Sequence, residues 1–492
     1  LAAAMMLGAA TGANAIDFKA KGQWIMSFDY GMHGNFGESK AKNNSGFKNE
    51  DEFEARQRVR LQLDAVASEA LSGTVFFEIG DQVWGDNDNG GALGADGKVV
   101  ELKRAYIDWM VPQTDLKVRM GIQGIALPSF TTNASQIMDD DVAAISLNYQ
   151  FNENVGLTAF WARPYNDNAG YKSSDAGSTK WDNYMDNMDM FAVLLPLTFD
   201  GVKVTPWVMY AAMGPGMFDN AKDPGNAWGR ASAGMQSGFK GTDWNDSYGN
   251  AFWAGVTGEV TYWDPFRIAW DVNYGSASYE DQKMNREGWL ASLLLEYKLD
   301  WGTPGLYGWY STGDDNNPRN GSERMPVVSA NGNNQFSNFA FNGNPYIARE
   351  GVLGSTMVGT WGIGARLKDV SFLEDLKHTL RVNFMGGTNA PKMAKYVSDY
   401  APFEKRGVKA VDEGSFSYDP MYLTTDDYAL EIGLTNTYKM YDNFTVMLDA
   451  AYVALWLDDS TSTWGKNPGR SALGGDGVYD AWNVNLSFVY SF

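Results

Sequence analysis

The residues of this sequence best placed to act on a solute are charged rather than nucleophilic. Around residue 58 the chain alternates strictly. Glu54, Arg56, Arg58, Arg60, Gln62 and Asp64 fall on one side of an extended strand, and Ala55, Gln57, Val59, Leu61, Leu63 and Ala65 on the other. Arg104 repeats the arrangement against Ala105, Ile107 and Trp109, and Lys117 and Arg119 repeat it against Val118, Met120 and Ile122. Two roles are open to such a row. It can impose an electrostatic field on passing ions, or it can pair with Glu54, Asp64 and Glu78 in a lattice that only holds a wall together. Shortly afterwards IALPSFTTNASQIMDDD ends in Asp139, Asp140 and Asp141. This is either a solvated surface loop or the counter-charge to the basic row. GDNDNGG at 85–91 offers Asp86 and Asp88 to a calcium ion, but it lacks the spacing of a helix-loop-helix calcium site and also reads as a tight turn.

Other chemistries are excluded or unsupported. The chain has no cysteine, so it has no disulfide, thiolate nucleophile or thiolate-bound zinc. Its two histidines, His33 and His378, fall at what would be opposite ends of the fold, and a hydrolase needs one beside a nucleophile or carboxylate. With 60 acidic residues, carboxylate pairs carry no specificity. A net charge of −21 opposes nucleic-acid binding. Neither a phosphate loop nor a metal motif is present, and no enzymatic activity is expected.

The elements that must position these residues are strands. About eighteen segments alternate apolar with polar residues, at roughly 17–34, 53–67, 73–84, 99–110, 115–124, 142–151, 155–164, 188–199, 202–213, 250–263, 266–276, 288–299, 304–312, 358–368, 378–387, 426–440, 444–456 and 479–492. Their connections sort by parity. Short turns at 152–154, Asp200-Gly201, Asp264-Pro265 and 441–443 alternate with long polar loops at 35–52, 165–187, 214–249, 313–357, 388–425 and 457–478. That asymmetry, with Phe18, Trp109, Phe151, Phe199, Phe266, Tyr297, Tyr438, Phe444 and Phe492 beside the short turns, predicts a transmembrane antiparallel β-barrel. No apolar run reaches the ~20 residues of a spanning helix, and mean hydropathy is −0.35. In a membrane the arginines cannot face lipid and must line the lumen. Residues 1–15, ending Ala13-Asn14-Ala15, read as an export signal lacking its start, with one barrel domain over 16–492.

The C-terminal SFVYSF, with Tyr490 two residues before Phe492, resembles the signal that barrel-assembly machinery reads in Gram-negative outer-membrane proteins. The whole chain resembles general diffusion porins, most closely the homotrimeric porins of sulfate-reducing bacteria. That resemblance implies a homotrimer in contact with outer-membrane lipid and lipopolysaccharide, and passive diffusion of small hydrophilic solutes. It implies a third loop folded into the lumen, which sets Asp139–Asp141 opposite the basic wall, and a second loop that latches onto a neighbouring subunit. General porins have sixteen strands, so the count of eighteen keeps sixteen as the fallback. Two other readings stay open. One is a sugar-type selective channel lined by Trp207, Trp253 and Phe160; the other is a structural or adhesive barrel with a plugged lumen.

Overall fold

The computed structural model describes residues 16–32, 51–87, 90–94, 97, 100–166, 187–214, 234–237, 239, 248–330, 334–341, 343, 351–396, 422–458 and 480–492. They form eighteen antiparallel strands. The first nine are β1 (Asp17–Met32), β2 (Asp51–Ser68), β3 (Leu71–Val83), β4 (Glu101–Met110), β5 (Leu116–Ala126), β6 (Asp139–Gln150), β7 (Gly156–Asn166), β8 (Asn187–Leu194, resumed at Leu197–Phe199) and β9 (Val202–Met213). The rest are β10 (Gly249–Val260), β11 (Phe266–Ser278), β12 (Arg286–Tyr297), β13 (Thr303–Ser311), β14 (Thr360–Leu373), β15 (Leu376–Gly387), β16 (Tyr428–Tyr441), β17 (Phe444–Trp456) and β18 (Ala481–Ser491).

Every strand pairs with its sequence neighbours, and β1 pairs with β18 from Gln23↔Ser491 to Gly31↔Asn483. The ring therefore has no free edge. Pro196 interrupts β8 because it lacks an N–H. The register against β9 nevertheless runs on, from Leu194↔Trp207 to Leu197↔Val204.

Turn chemistry follows the sequence. Gly201 has φ +66°, and a Cβ there would lie 2.6 Å from the Cα of Tyr262, so glycine is required. The Asn152 side chain accepts the N–H groups of Asn154 and Val155, closing the 152–154 turn. Three strands depart from the expected spans by three residues or more, and one of them, β10, ends at Val260 instead of 263. β14 runs on to Leu373 through register shifts after Leu367 and Val370, which break the alternation a reader follows. β6 begins at Asp139, three residues early, because the ladder with β5 starts at Ala126↔Asp139, ahead of the first apolar residue, Val142.

The outward face is apolar. Ile107, Leu147, Val208, Val256, Leu293, Leu306, Ile363, Leu434 and Leu448 are exposed around the ring. Aromatic belts flank them. Phe18, Phe151, Phe199, Phe266 and Phe492 lie at the short-turn end, and Tyr30, Phe53, Tyr210, Trp289 and Tyr310 at the other. The core sits inside the ring. Lumen-facing Met209, Trp253, Tyr307 and Trp309 pack against Met325, Val327, Phe336, Phe339, Phe341 and Met357 of the connection between β13 and β14. Leu293→Arg, on the outward face of β12, should lower stability in lipid vesicles by about 2–4 kcal/mol. Urea titration monitored by Trp fluorescence checks this, and a negligible loss would mean that this face does not contact hydrocarbon.

Candidate functional site

The basic row lies on the lumen face of β2–β5. On β2, Arg56 pairs with Glu54, Arg58 lies 3.8 Å from Asp81, and Arg60 lies 2.5 Å from Glu78. On β4, Arg104 sits 2.5 Å from Asp141 and packs over Phe76. On β5, Lys117 lies 3.2 Å from Asp108, while Arg119 donates to both oxygens of Asp108 at 2.7 and 2.8 Å and stacks 4.0 Å above the Tyr106 ring.

Lys103 joins this row against strict alternation. The β3–β4 register shifts between Phe76↔Arg104 and Phe77↔Leu102, which leaves Lys103 as the extra residue of a β-bulge. Its amine then reaches Asp141 at 3.0 Å, beside Arg104. Alternation alone sends Lys103 to the lipid side, so the sequence reading missed it.

The row is a salt-bridge lattice with a surplus. Asp108 serves Lys117 and Arg119, and Asp141 serves Lys103 and Arg104. The Asp108 trio keeps one net positive charge, whereas the Asp141 trio sits beside two further carboxylates, Asp139 and Asp140. Lys117 and Arg119 border a cavity of about 340 Å³ whose other walls include Gln123, Ser146, Asn148 and Phe160.

Two connections fold into the lumen as straps. The first is the third long-end connection, Leu127–Met138, closed at its base where Leu127 N–H donates to the Met138 carbonyl. It crosses to β11, six strands further round the ring. There Asp271 accepts from Ser129 Oγ at 2.8 Å, Phe130 N at 2.9 Å and Thr131 N at 3.1 Å, and also from Thr131 Oγ1. Arg267 donates to the Phe130 carbonyl at 2.9 Å.

The second strap is the connection 312–359. Its 334–341 segment reaches Glu431 on β16, which accepts from Asn338, Phe339 and Ala340 N–H groups. At its root Asp314 is buried and accepts from Ser322 and Tyr422. Burial raises its carboxyl above the ordinary range, against the pull of Arg324 and the hydrogen bonds.

Several expected sites fall differently. Asp139, Asp140 and Asp141 stand on β6, opposite Ala126, Ile125 and Gly124, rather than on the inserted loop. Asp141 meets Arg104 across β5, from two strands away, and Asp140 accepts from Ser329 of the second strap at 2.6 Å. Asp141 thus joins the basic row, while Asp140 meets the second strap. Trp207 and Trp253 are buried in the plug, with Trp253 Nε1 donating to the Pro326 carbonyl, so they line no open path. Phe160 alone of the three borders the cavity.

Asp86 lies in the turn where Gly91 N–H donates to the Asp86 carbonyl; Asp88 is outside the described residues. Among the described residues no acidic or histidine group is arranged for a metal. His378 contacts Asn436, and His33 and the 1–15 segment are outside the described residues. Most of the expected long loops at 35–52, 165–187, 214–249, 388–425 and 457–478 lie outside them as well. Tyr490 and Phe492 face outward with rings 5.7 Å apart, and Phe492 exchanges backbone hydrogen bonds with Gly22 at the closing seam.

No family profile and no curated protein matches this sequence. Solved structures do. The glucuronate complex of Pseudomonas aeruginosa OccK2 (OpdF) aligns over 97% of this chain and 98% of its own, at 9% identity and TM-score 0.51. Pseudomonas aeruginosa OprD aligns over 96% of each chain, at 11% identity and TM-score 0.50. What is shared is the fold. It is the eighteen-stranded barrel of OprD and Occ proteins, so the count of eighteen stands over sixteen.

Asp108→Asn should leave Lys117 and Arg119 without their shared charge and make the lumen more attractive to anions. The reversal potential across a planar bilayer under a KCl gradient should move toward the chloride potential. The barrel should still assemble, because Asn keeps an acceptor and the cations stay hydrated. An unmoved potential would place this cavity off the ion path.

Proposed function

We propose that the chain is an integral outer-membrane channel that passes small hydrophilic solutes without energy input and favours small anions, carboxylates above all. One observation carries this reading. Two straps pack into the lumen, and a cavity beside them is bordered by Lys117 and Arg119 of the basic row together with Gln123, Ser146 and Asn148. The apolar outward band and its aromatic belts support the membrane placement. Low-dielectric walls focus the field of a few fixed charges at a narrow point. The acidic charge of the whole chain acts from further away, and salt screens it beyond about 8 Å.

The straps favour a selective channel over a wide diffusion pore. OccK2, the neighbour crystallised with glucuronate, carries an anionic sugar of the class this wall suits. Aromatic guidance of neutral sugars is left with Phe160 alone beside the cavity, since Trp207 and Trp253 are covered. A plugged adhesive barrel is the competing reading, favoured by the packed core inside the ring. One chain closes its own barrel, so a pathway needs no second copy, and mass measurement in mild detergent separates the expected homotrimer from a monomer.

Replacing Arg56, Arg58 and Arg60 together with Gln should shift the reversal potential toward cations. It should also weaken saturable block of the ion current by glucuronate, while glucose blocks neither protein. Equal block by both sugars would favour general diffusion, and the absence of open steps in the parent protein would favour the plugged barrel.

A further inference from the structure

We infer that Asp271 and Glu431 are the positioning residues that set the bore of this channel, each pinning one strap against the far wall, and that the two straps are held as one body. The inference rests on the channel reading. Neither residue belongs to the basic row, and neither borders the cavity beside Lys117 and Arg119.

Both carboxylates are enclosed, with Asp271 3% exposed and Glu431 fully buried. Each is a single acid on the lumen face of its strand, between apolar outward neighbours: Trp270 and Val272 for one, Leu430 and Ile432 for the other. Asp271 takes the N–H groups of Phe130 and Thr131 and the hydroxyls of Ser129 and Thr131. Glu431 gathers three successive N–H groups on Oε1, from Asn338 at 2.9 Å, Phe339 at 2.6 Å and Ala340 at 3.0 Å, along with Ser337 Oγ at 3.1 Å. Its Oε2 accepts from Asn383 at 2.9 Å.

Charge-assisted bonds of this kind are stronger than neutral ones, and a buried N–H left without an acceptor is costly. Each strap tip therefore has one resting place, which its carboxylate defines. An amide in place of either carboxylate removes the charge and turns an N–H₂ group toward donors.

The straps are also tied to each other. Gln335 N–H donates to the Thr132 carbonyl at 3.1 Å, and Met357 N–H donates to Gln136 Oε1 at 3.0 Å. Val328 and Ser329 both donate to the Ile137 carbonyl. On the wall behind them Glu296 joins Arg267, which holds the Phe130 carbonyl, to Arg366, at 2.8 and 2.7 Å. Loss of one latch should therefore loosen both straps.

The test uses Asp271→Asn, Glu431→Gln and the double variant in the full chain, with barrel assembly checked by heat-modifiable gel migration. Single-channel conductance and amide hydrogen exchange are then read in parallel. Each single variant should raise the unit conductance about two-fold, because the straps occupy much of the lumen. The double variant should add little beyond either single one. Exchange protection should fall at Phe130 and Thr131 and at Asn338–Ala340 in both single variants. Unchanged conductance and unchanged protection would overturn the inference. Protection lost in only the mutated strap would overturn the single-body part of it. If the parent protein shows no open steps while exchange changes as stated, the channel reading fails and the latches stand. Where either variant does not assemble, Thr131→Val and Ser337→Ala each remove one side-chain donor from a latch. Wild-type exchange in both of these would likewise overturn the inference.

Discussion

A backbone N–H or C=O facing hydrocarbon has no water to turn to, and the rest of this architecture follows from that constraint. Every strand must have two partners. The β1–β18 pairing supplies the last of them, where Gly22 and the terminal Phe492 exchange hydrogen bonds. Once the ring is closed, period-two alternation sends one residue to lipid and the next to the lumen. Strand identity then becomes a two-sided sorting: Leu293 outward and Ser292 inward, Ile432 outward and Glu431 inward.

The interior obeys the opposite rule from lipid without being simply wet. Along β9–β17 the lumen face carries Met209, Trp253, Tyr307, Trp309 and Met385, which would be poor neighbours for water. The connection 312–359 covers them with its own Phe336, Phe339, Phe341 and Met357, so the hydrophobic core of this membrane protein is formed by an inserted loop. A packed loop still has polar backbone to satisfy. That is why carboxylates stand where the strap tips touch down, and why Arg366 and Arg381 donate to the Gln335 carbonyl.

Much of the barrel was legible in the sequence, because the signal for it is repeated around the whole ring. Eighteen alternating segments and turns such as Asp200-Gly201 reappear nearly in place. What alternation cannot show is where it is broken. Lys103 turns inward through a bulge, and nothing in Leu102-Lys103-Arg104 marks which of two adjacent cations is the extra one. The three aspartates read as loop because they precede the first apolar residue, yet the ladder already includes Asp139. Asp271 and Glu431 lie in alternating strands, but the sequence reading singled out neither. Their partners lie 140 or more residues away for Thr131 and more than 90 away for Asn338, a separation that no local pattern spans.

The arginines had two candidate roles, lattice or field; the ion pairs are those of a lattice, and the field belongs to the proposed channel. A fully paired wall would hold its shape but present little charge to a solute. An unpaired row would present charge but place like charges side by side in a low-dielectric channel, where each close pair repels by about 4 kcal/mol at an effective dielectric near 20. Sharing one carboxylate between two cations resolves the conflict. Asp108 pairs with Lys117 and Arg119, which leaves that group one charge positive, and Asp141 pairs with Lys103 and Arg104 beside Asp139 and Asp140. Lys117 and Arg119 sit on the wall of the cavity, and the one carboxylate they share, Asp108, orders both side chains without matching their combined charge.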